Sequence, residues 1–363
     1  MTRKQQKDSL LAREVSFGKV NLEQKAAFAK HLSIMLKSGI SLSETLSIAE
    51  ESSTGKLKSI IREIRGSAES GSSLAEAFAR YPNVFSGFFV KSIYIGEASG
   101  TLTSNLENVA EQIEKEKALM EKIKGAMLYP TVVLAATFIL GMILSFVVLP
   151  QITPLFEGLK VNLPVTTRAL IWFSHFIQQN GIFLFLGIIF TVIFINWLVR
   201  QKFIRPLTHR IILNFPVFKK ISRNTNLARF TRTLGMLLKS GVNIDEALEI
   251  SKEMTGNYYY ARALEKISQA VRKGSKLSEN LQQEKNLFPT MLTSMIRVGE
   301  ESGNFEETLF YLADFYETKV DSATKSLAAA IEPILLIFIG LVVAFLALSI
   351  ITPIYDLTGN LKR

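Results

Sequence analysis

The sequence contains no cysteine and only three histidines in 363 residues. Without cysteine, the chain has no disulfide, no thiolate metal site and no cysteine nucleophile. The histidines, His31, His175 and His209, do not cluster along the chain, which argues against a histidine metal centre or proton relay. Walker, zinc-protease, nucleophile-elbow and dinucleotide motifs are also missing. We therefore expect no catalytic residue, no metal ion and no cofactor, and we do not expect an enzyme.

Charge is scarce as well, and its absence is concentrated. Charged residues make up 20% of the sequence, against about a quarter in average proteins. Three stretches contain no charged residue: those between Lys124 and Glu157, between Arg168 and Arg200, and between Glu332 and Asp356. Each is longer than the roughly 20 residues that a helix needs to cross a bilayer. The sequence predicts a multi-pass membrane protein with spans near residues 128–149, 182–199 and 334–351.

The basic residues predict the orientation of these spans. From Arg200 through Ile244 there are ten basic residues and no acidic one. A basic flank marks the cytoplasmic side of a span. Nucleic acid could also attract such a run, but it adjoins a predicted span, where anionic headgroups attract basic residues. We favour contact with the lipid bilayer and expect no nucleic-acid partner.

The ends of the chain complete this predicted orientation. The opening, Met1 to Lys7, is polar, and the first apolar run begins about 125 residues later. This pattern predicts no signal peptide and a cytoplasmic N-terminus. Three crossings then place the C-terminal tail outside.

The chain contains an internal repeat. Residues 28–53 align without a gap to residues 230–255, with ten identities in 26, at an offset of 202. Residues 71–106 align to residues 274–309 at an offset of 203, with twelve identities in 36. Each copy combines a cytoplasmic region with one span. Because every crossing reverses the side of the membrane, residues 182–199, which have no counterpart in the repeat, are predicted to be a return crossing.

Within each copy the pattern is helical. Apolar residues such as Phe28 and Leu32 recur at helical spacing, and strand alternation is lacking. Capping boxes are predicted at Ser41–Glu44 and Asn243–Glu246. We therefore predict an all-α membrane protein with two homologous cytoplasmic helical bundles and three transmembrane helices, in which the last helix of each bundle runs into the following span.

The predicted organisation follows the chain in eight segments. They are an N-terminal polar segment (1–20), bundle 1 (21–124), transmembrane helix 1 (125–150), an extracytoplasmic loop with an interfacial helix or tilted extension (151–181), transmembrane helix 2 (182–199), bundle 2 (200–326), transmembrane helix 3 (327–352) and an extracytoplasmic tail (353–363).

Two sets of repeated residues are candidate functional positions. The Gly-Glu-x-Ser-Gly segments either form tight turns or present acid to a partner or cation. Their candidate residues are Gly96, Glu97, Gly100, Gly299, Glu300, Glu301 and Gly303. The second set is a candidate helix hinge at Pro130, Glu332 and Pro333. Each proline either kinks a continuous helix or begins a separate membrane helix.

Three stretches, residues 230–248, 287–321 and 331–357, resemble the inner-membrane platform proteins of type IV pili and type II secretion systems, the PilC/GspF family. The motifs that carry the resemblance include Gly299–Gly303 and Glu332–Pro333. In the first copy Ala98 replaces a glutamate, and Tyr129 precedes Pro130 in place of glutamate.

The resemblance implies a non-enzymatic assembly platform in the bacterial inner (cytoplasmic) membrane. Its bundles would contact a hexameric cytoplasmic assembly ATPase, and its membrane part would insert or extract pilin or pseudopilin subunits. Other inner-membrane assembly proteins and further copies of the chain, in a homo-oligomer, would be additional partners. Pilus, secretion and competence systems remain alternatives, and a membrane transporter component with duplicated cytoplasmic domains is a further one.

Overall fold

A computed structural model describes residues 20–143, 146–147, 151, 154, 165–201 and 203–360. Five parts of the predicted organisation lie outside the described residues: the polar segment up to residue 19, residues 144–145 and 148–150 of transmembrane helix 1, residues 152–153 and 155–164 of the predicted 151–181 segment, residue 202 of bundle 2, and the last three residues of the tail. The regular structure of the described residues is helical, with no strand among them, which confirms the predicted all-α class.

The helices repeat with the spacing that the sequence predicts. The helices up to the first long apolar one are α1 (Leu22–Lys37), α2 (Leu42–Ser52), α3 (Gly55–Glu69), α4 (Leu74–Ala79), α5 (Gly87–Ser99) and α6 (Leu102–Ile143). The helices that follow are α7 (Val165–Arg200), α8 (Arg205–Asn214), α9 (Pro216–Lys239), α10 (Ile244–Met254), α11 (Tyr258–Arg272), α12 (Leu277–Gln283), α13 (Thr290–Ser302) and α14 (Phe305–Asn360). The bounds of α2 and α10 differ by 202 and those of α3 and α11 by 203, so the inserted residue lies in the turn between these helices.

Side-chain caps explain some of the helix starts and correct one prediction. A reciprocal capping box begins α1, where Asn21 Oδ1 accepts the N–H of Gln24 at 2.7 Å and Gln24 Oε1 accepts the N–H of Asn21 at 3.1 Å. The box predicted at Asn243 is wrong, because Asn243 makes no side-chain cap. Its intended partner Glu246 instead forms an ion pair with Lys91 at 2.7 Å.

The other predicted capping box, at the start of α2, forms only one of its two hydrogen bonds. Ser41 Oγ accepts the N–H of Glu44 at 3.2 Å, and the reciprocal bond is not made. The hydroxyl alone satisfies one of the unpaired amides of the first turn.

The two halves pack into one compact unit, formed by the described residues up to Glu121 together with His209–Asp321. The buried apolar positions of α3 recur in α11: Leu57, Ile60, Ile61 and Ile64 correspond to Tyr260, Ala263, Leu264 and Ile267. Buried residues of both halves belong to a single hydrophobic cluster. The duplicated sequence thus builds one shared core.

The second unit contains Lys122–Thr208 and the residues from Ser322 onward. Here the buried Thr167 hydroxyl of α7 donates to the backbone oxygen of Ser349 in α14 at 2.9 Å. Apolar side chains such as Leu134 and Ile337 are exposed, 51% and 64% respectively. Exposure of large apolar groups on long helices is typical of surfaces that face lipid.

Two of the described helices are long and apolar enough to cross a membrane, one being α6 and the other the part of α14 from Phe305 to Ser349. Both are continuous with the bundles, which confirms that the last helix of each bundle runs into the following apolar stretch. The predicted second span lies within α7, and that helix also includes residues 169–181. These residues therefore continue the same helix, as in the tilted-extension alternative, and the crossing itself stays a prediction.

Candidate functional site

The first Gly-Glu-x-Ser-Gly segment lies at the corner between α5 and α6. The Glu97 carboxylate accepts the backbone N–H groups of Leu74 at 2.6 Å and Ala75 at 3.0 Å, the first two residues of α4. Ser73 Oγ accepts the next free N–H, that of Glu76, at 3.1 Å. A carboxylate at this position satisfies unpaired amides and complements the positive end of the helix dipole. Glu97 therefore joins the end of α5 to the start of α4.

The second segment makes the same contact with less help. The Glu300 carboxylate accepts the N–H groups of Leu277 at 2.8 Å and Ser278 at 3.1 Å. Lys276, which occupies the position of Ser73, makes no side-chain cap. In the first half, Ser73 and Glu97 both accept N–H groups at the start of α4. At the start of α12, Glu300 accepts N–H groups without a second acceptor at position 276.

The first glycine of each motif allows two helices to approach closely. A Cβ atom at Gly96 would lie 2.7 Å from the Cα atom of Leu102, and one at Gly299 would lie 2.9 Å from Thr308 Oγ1. These separations are shorter than van der Waals contact, so a larger residue would push the next helix away.

The last glycine of each motif ends its helix, Gly100 with φ +71° and Gly303 with φ +76°. Left-handed backbone at a helix C-terminus favours glycine. These contacts favour the structural interpretation for both glycine pairs and for the two capping glutamates. Glu301 is exposed and corresponds to the exposed Ala98 in the first half. Contact between Glu301 and a partner therefore stays a prediction.

Among the described residues, no three His, Cys, Asp or Glu side chains are grouped to hold a metal ion.

The two candidate hinge prolines lie inside continuous helices. Pro130 is within α6 and Pro333 is within α14. This placement excludes the alternative in which each proline begins a separate helix. Because proline has no N–H, the carbonyls of Ala126 and Ala329 lose their usual helical donors. Glu332 is exposed next to Pro333. The hinge role stays a prediction.

The contact between the two halves is a feature that the sequence did not predict. Helix α5 of the first half packs against α9 and α10 of the second half. Lys91 Nζ lies 2.7 Å from Glu246 Oε1 across this contact. The buried Gln112 of α6 donates to Thr233 Oγ1 of α9 at 3.2 Å. The buried side-chain nitrogen of Gln112 in one half is thus satisfied by a hydroxyl of the other half.

Two pairs of contacting positions recur in both halves, with different residue types in each half. In the first half, Glu50 Oε1 accepts from Arg62 Nε at 2.8 Å, and its other oxygen accepts from Arg65 Nε at 3.1 Å. Arg62, followed by Arg65, lowers the pKa of Glu50 despite its burial. At the corresponding positions of the second half, Lys252 lies 3.8 Å from Glu265, so the charges are reversed.

A second pair is exchanged in a similar way. The Tyr81 hydroxyl donates to Glu63 Oε2 at 2.6 Å, and burial, followed by this carboxylate, raises the pKa of Tyr81 to about 12. At the same positions, the second half has an ion pair between Lys266 and Glu284 at 3.9 Å. Exchange of both partners at two pairs of positions is the pattern expected of residues in contact, and it supports a common bundle in both halves.

A family comparison matches both halves of the chain. The family model for "Type II secretion system (T2SS), protein F" matches residues 28–150 and residues 230–353. The two matches correspond to the two copies of the internal repeat and to most of the chain.

Individual relatives extend over nearly the whole chain. This chain is 35% identical over 342 residues to "Type IV pilus assembly protein PilC" of Thermus thermophilus, and the alignment covers 94% of this chain and 84% of the relative. It is 32% identical over 363 residues to the Myxococcus xanthus protein of the same name, covering 99% and 87%. "Type II secretion system protein F" of Vibrio cholerae is 31% identical over 340 residues, covering 93% and 83%.

Proposed function

We propose a function that proceeds from family membership: the chain belongs to the type II secretion system protein F family. The proposed role is that of an inner-membrane platform in a machine that assembles a type IV pilus or a type II secretion fibre. The names of the relatives include both systems, and a competence system stays a third alternative. In this role the chain performs no chemistry and transmits force between partners.

The observation that carries the proposal is the contact between the halves. The contacts of Lys91 with Glu246 and of Gln112 with Thr233 support the proposal that the two halves lie in the same compartment. A crossing by the apolar part of α6 must therefore be followed by a return before His209. Helix α7 contains an uncharged stretch long enough for that return,. We propose three crossings, with both halves and the N-terminus in the cytoplasm.

The basic residues after α7 support the same orientation. Arg205 and Arg210 follow its C-terminal end, and no acidic residue occurs before Asp245. Such an excess of positive charge beside a span favours the cytoplasmic side.

The long helices supply a route for force. Helices α6 and α14 each begin in a bundle and continue without a break into an apolar stretch. A displacement of the shared cytoplasmic lobe, driven by an assembly ATPase, would therefore be carried toward the membrane along continuous backbone. Pro130 and Pro333, which each remove one backbone hydrogen bond, are the positions where these helices bend most easily. Pilin or pseudopilin helices would move against the exposed apolar side chains.

Site-specific crosslinking tests this function, and the absence of native cysteine makes it simple. Single cysteines replace Ile34 in the first half, Val298 in the second half and Leu336 in α14, which are exposed by 50%, 56% and 65%. Each carries a photoreactive maleimide in cells that contain the cognate assembly ATPase and prepilin. We expect nucleotide-dependent adducts with the ATPase from at least one bundle position, and adducts with prepilin from Leu336→Cys.

Strains lacking the ATPase or the prepilin are the controls for the identity of each adduct. If all three positions label neither partner while the machine remains active, the platform function is wrong.

A further inference from the structure

The residues that join α8 to α9 present a surface that is both apolar and basic. We define the 210–220 surface by Arg210, Ile211, Phe215, Phe218, Lys219 and Lys220. Its apolar members are Ile211, Phe215 and Phe218, exposed by 55%, 50% and 42%. The rings of Phe215 and Phe218 stack with their centroids 5.9 Å apart. Two stacked aromatic rings beside an exposed isoleucine form an exposed apolar patch, which is typical of a surface that contacts a partner or a membrane.

The opposite side of the same segment is fixed to the second half. His209 Nδ1 accepts the N–H of Tyr258 at 3.0 Å, and Leu213 packs against the hydrophobic core. His209 and Leu213 lie one turn apart on α8, whereas Ile211 lies about 200° around the helix from His209. The core-facing side of α8 is therefore occupied, and the exposed apolar side does not belong to the core of this chain.

The charged members of the 210–220 surface are all positive. Arg210, Lys219 and Lys220 are exposed, and within the described part of the chain none of the three forms an ion pair. From Arg200 through Ile244 the sequence contains no acidic residue that could neutralise them. An exposed apolar patch bordered by unpaired cations complements a layer that is anionic at its surface and apolar beneath.

We propose that the 210–220 surface lies in the headgroup layer of the membrane and binds anionic phospholipids there. This inference rests on the return crossing by α7 proposed above. Ile211 follows Arg200 by eleven residues, so even a fully extended chain keeps it within about 40 Å of the end of α7. The membrane is thus the partner that chain connectivity brings within reach. Arg210, Lys219 and Lys220 contact lipid phosphates, while the three apolar side chains enter the acyl boundary.

Fluorescence quenching in nanodiscs tests this binding on the full chain. Phe215→Cys carries an environment-sensitive fluorophore in nanodiscs of phosphatidylcholine, with or without phosphatidylglycerol, doped with nitroxide lipid. We expect lipid nitroxide to quench the label strongly when phosphatidylglycerol is present, and aqueous iodide to quench it when phosphatidylglycerol is absent. The triple variant Arg210→Gln, Lys219→Gln, Lys220→Gln is expected to lose the dependence on phosphatidylglycerol.

Two further labels separate the possible outcomes. Val298→Cys replaces a residue of the second half that is 56% exposed, and it is expected to stay accessible to iodide in both lipids. Ile195→Cys, within the proposed return crossing, reports on the premise. Lipid quenching at Ile195 without quenching at Phe215 overturns the headgroup inference alone, whereas no quenching at either position also overturns the return crossing. Protection of the Phe215 label only after the assembly ATPase is added identifies a protein-docking surface and overturns lipid binding.

Discussion

Glu300 stabilises the start of a helix from 23 residues away along the chain, and its repeat counterpart Glu97 does the same. The two halves differ in what else is available. Ser73 assists in the first half, whereas Lys276 offers no acceptor in the second half. The start of α12 should therefore depend more strongly on one carboxylate than the start of α4.

The first prediction follows from this difference. Glu300→Ala leaves the N–H groups of Leu277 and Ser278 without their side-chain acceptor, and should destabilise the start of α12 by about 1 kcal/mol. Hydrogen exchange of the 277–283 segment in the full chain should become about fivefold faster. Glu301→Ala, at the next position with an exposed side chain, is the matched control and should leave exchange unchanged. Equal protection in both variants would contradict the capping role.

The second prediction concerns pH. Because Arg62 and Arg65 hold the pKa of Glu50 below its unfolded value of about 4.3,, this carboxylate stabilises the fold above that value and the effect is lost as pH falls through the lowered pKa. Glu50→Gln should therefore lower the melting temperature at pH 7 and have progressively less effect below about pH 4. Thermal unfolding in detergent micelles at a series of pH values measures the difference in melting temperature between the variant and the parent chain. Glu51→Gln, an exposed neighbour, is the control; a pH-independent Glu50→Gln effect would argue against the ion pair.

The third prediction uses the exchanged pair. Glu50→Lys places a third cation beside Arg62 and Arg65, and should destabilise the chain by about 2–4 kcal/mol. The triple variant Glu50→Lys, Arg62→Glu, Arg65→Ser imports the second-half arrangement and should recover more than half of the lost melting temperature. Arg65→Ser alone controls for the loss of that side chain. If the triple variant is no more stable than Glu50→Lys, the two sites are not equivalent.

At the scale of the element, the repeat and its local signals predict most of the helices. The change of offset from 202 to 203 is visible in the sequence alignment alone, and the bounds of the helices agree with it. The failed capping box at Asn243 shows where local reasoning ends. Glu246 forms an ion pair with Lys91, which lies 155 residues earlier in the sequence. A local sequence pattern cannot predict a partner at that distance.

The same limit applied to the candidate site. The sequence identified Glu97 and Glu300 by repetition, but left turn geometry and partner contact as alternatives. Their acceptor role became visible only when α4 and α12 were placed beside them, because backbone amides have no signature in a sequence. The packing of α5 on α9 and α10 was missed for the same reason.

The fourth prediction belongs to the long helices. Replacing both Pro130 and Pro333 with alanine restores the missing backbone donors and should stiffen α6 and α14 at the two corresponding positions. If these positions are hinges, the double variant should insert normally and support fibre assembly or secretion poorly. Membrane fractionation and the assembly assay measure the two properties separately. Pro206→Ala, near the start of α8, is a control outside these helices. A fully active double variant would count against the hinge.

At the scale of the whole molecule, one lobe contains two halves that are separated in sequence by the long helices α6 and α7. The fifth prediction is that Ser104→Cys in the first half and Ser294→Cys in the second half, both exposed, are protected from membrane-impermeant maleimide in intact spheroplasts. Both should react after permeabilisation, because contacts between the halves require a common compartment. Gln151→Cys, in the segment predicted to be outside, should react without permeabilisation. Labelling of only one half before permeabilisation would contradict the shared lobe.

The shared core also imposes an order on biosynthesis. The ribosome completes the first half before the residues that cover α5 exist, and the stretch from Glu121 to His209 takes on the order of 5–20 s to translate. During that time Gln112 lacks Thr233, and Lys91 lacks Glu246. In the proposed topology, a nascent chain stalled within α6 or α7 would display an unfinished surface on the cytosolic side, to which chaperones and proteases can respond. In the proposed topology, completion of the lobe would report that α6 and α7 have returned the chain to the side where it began.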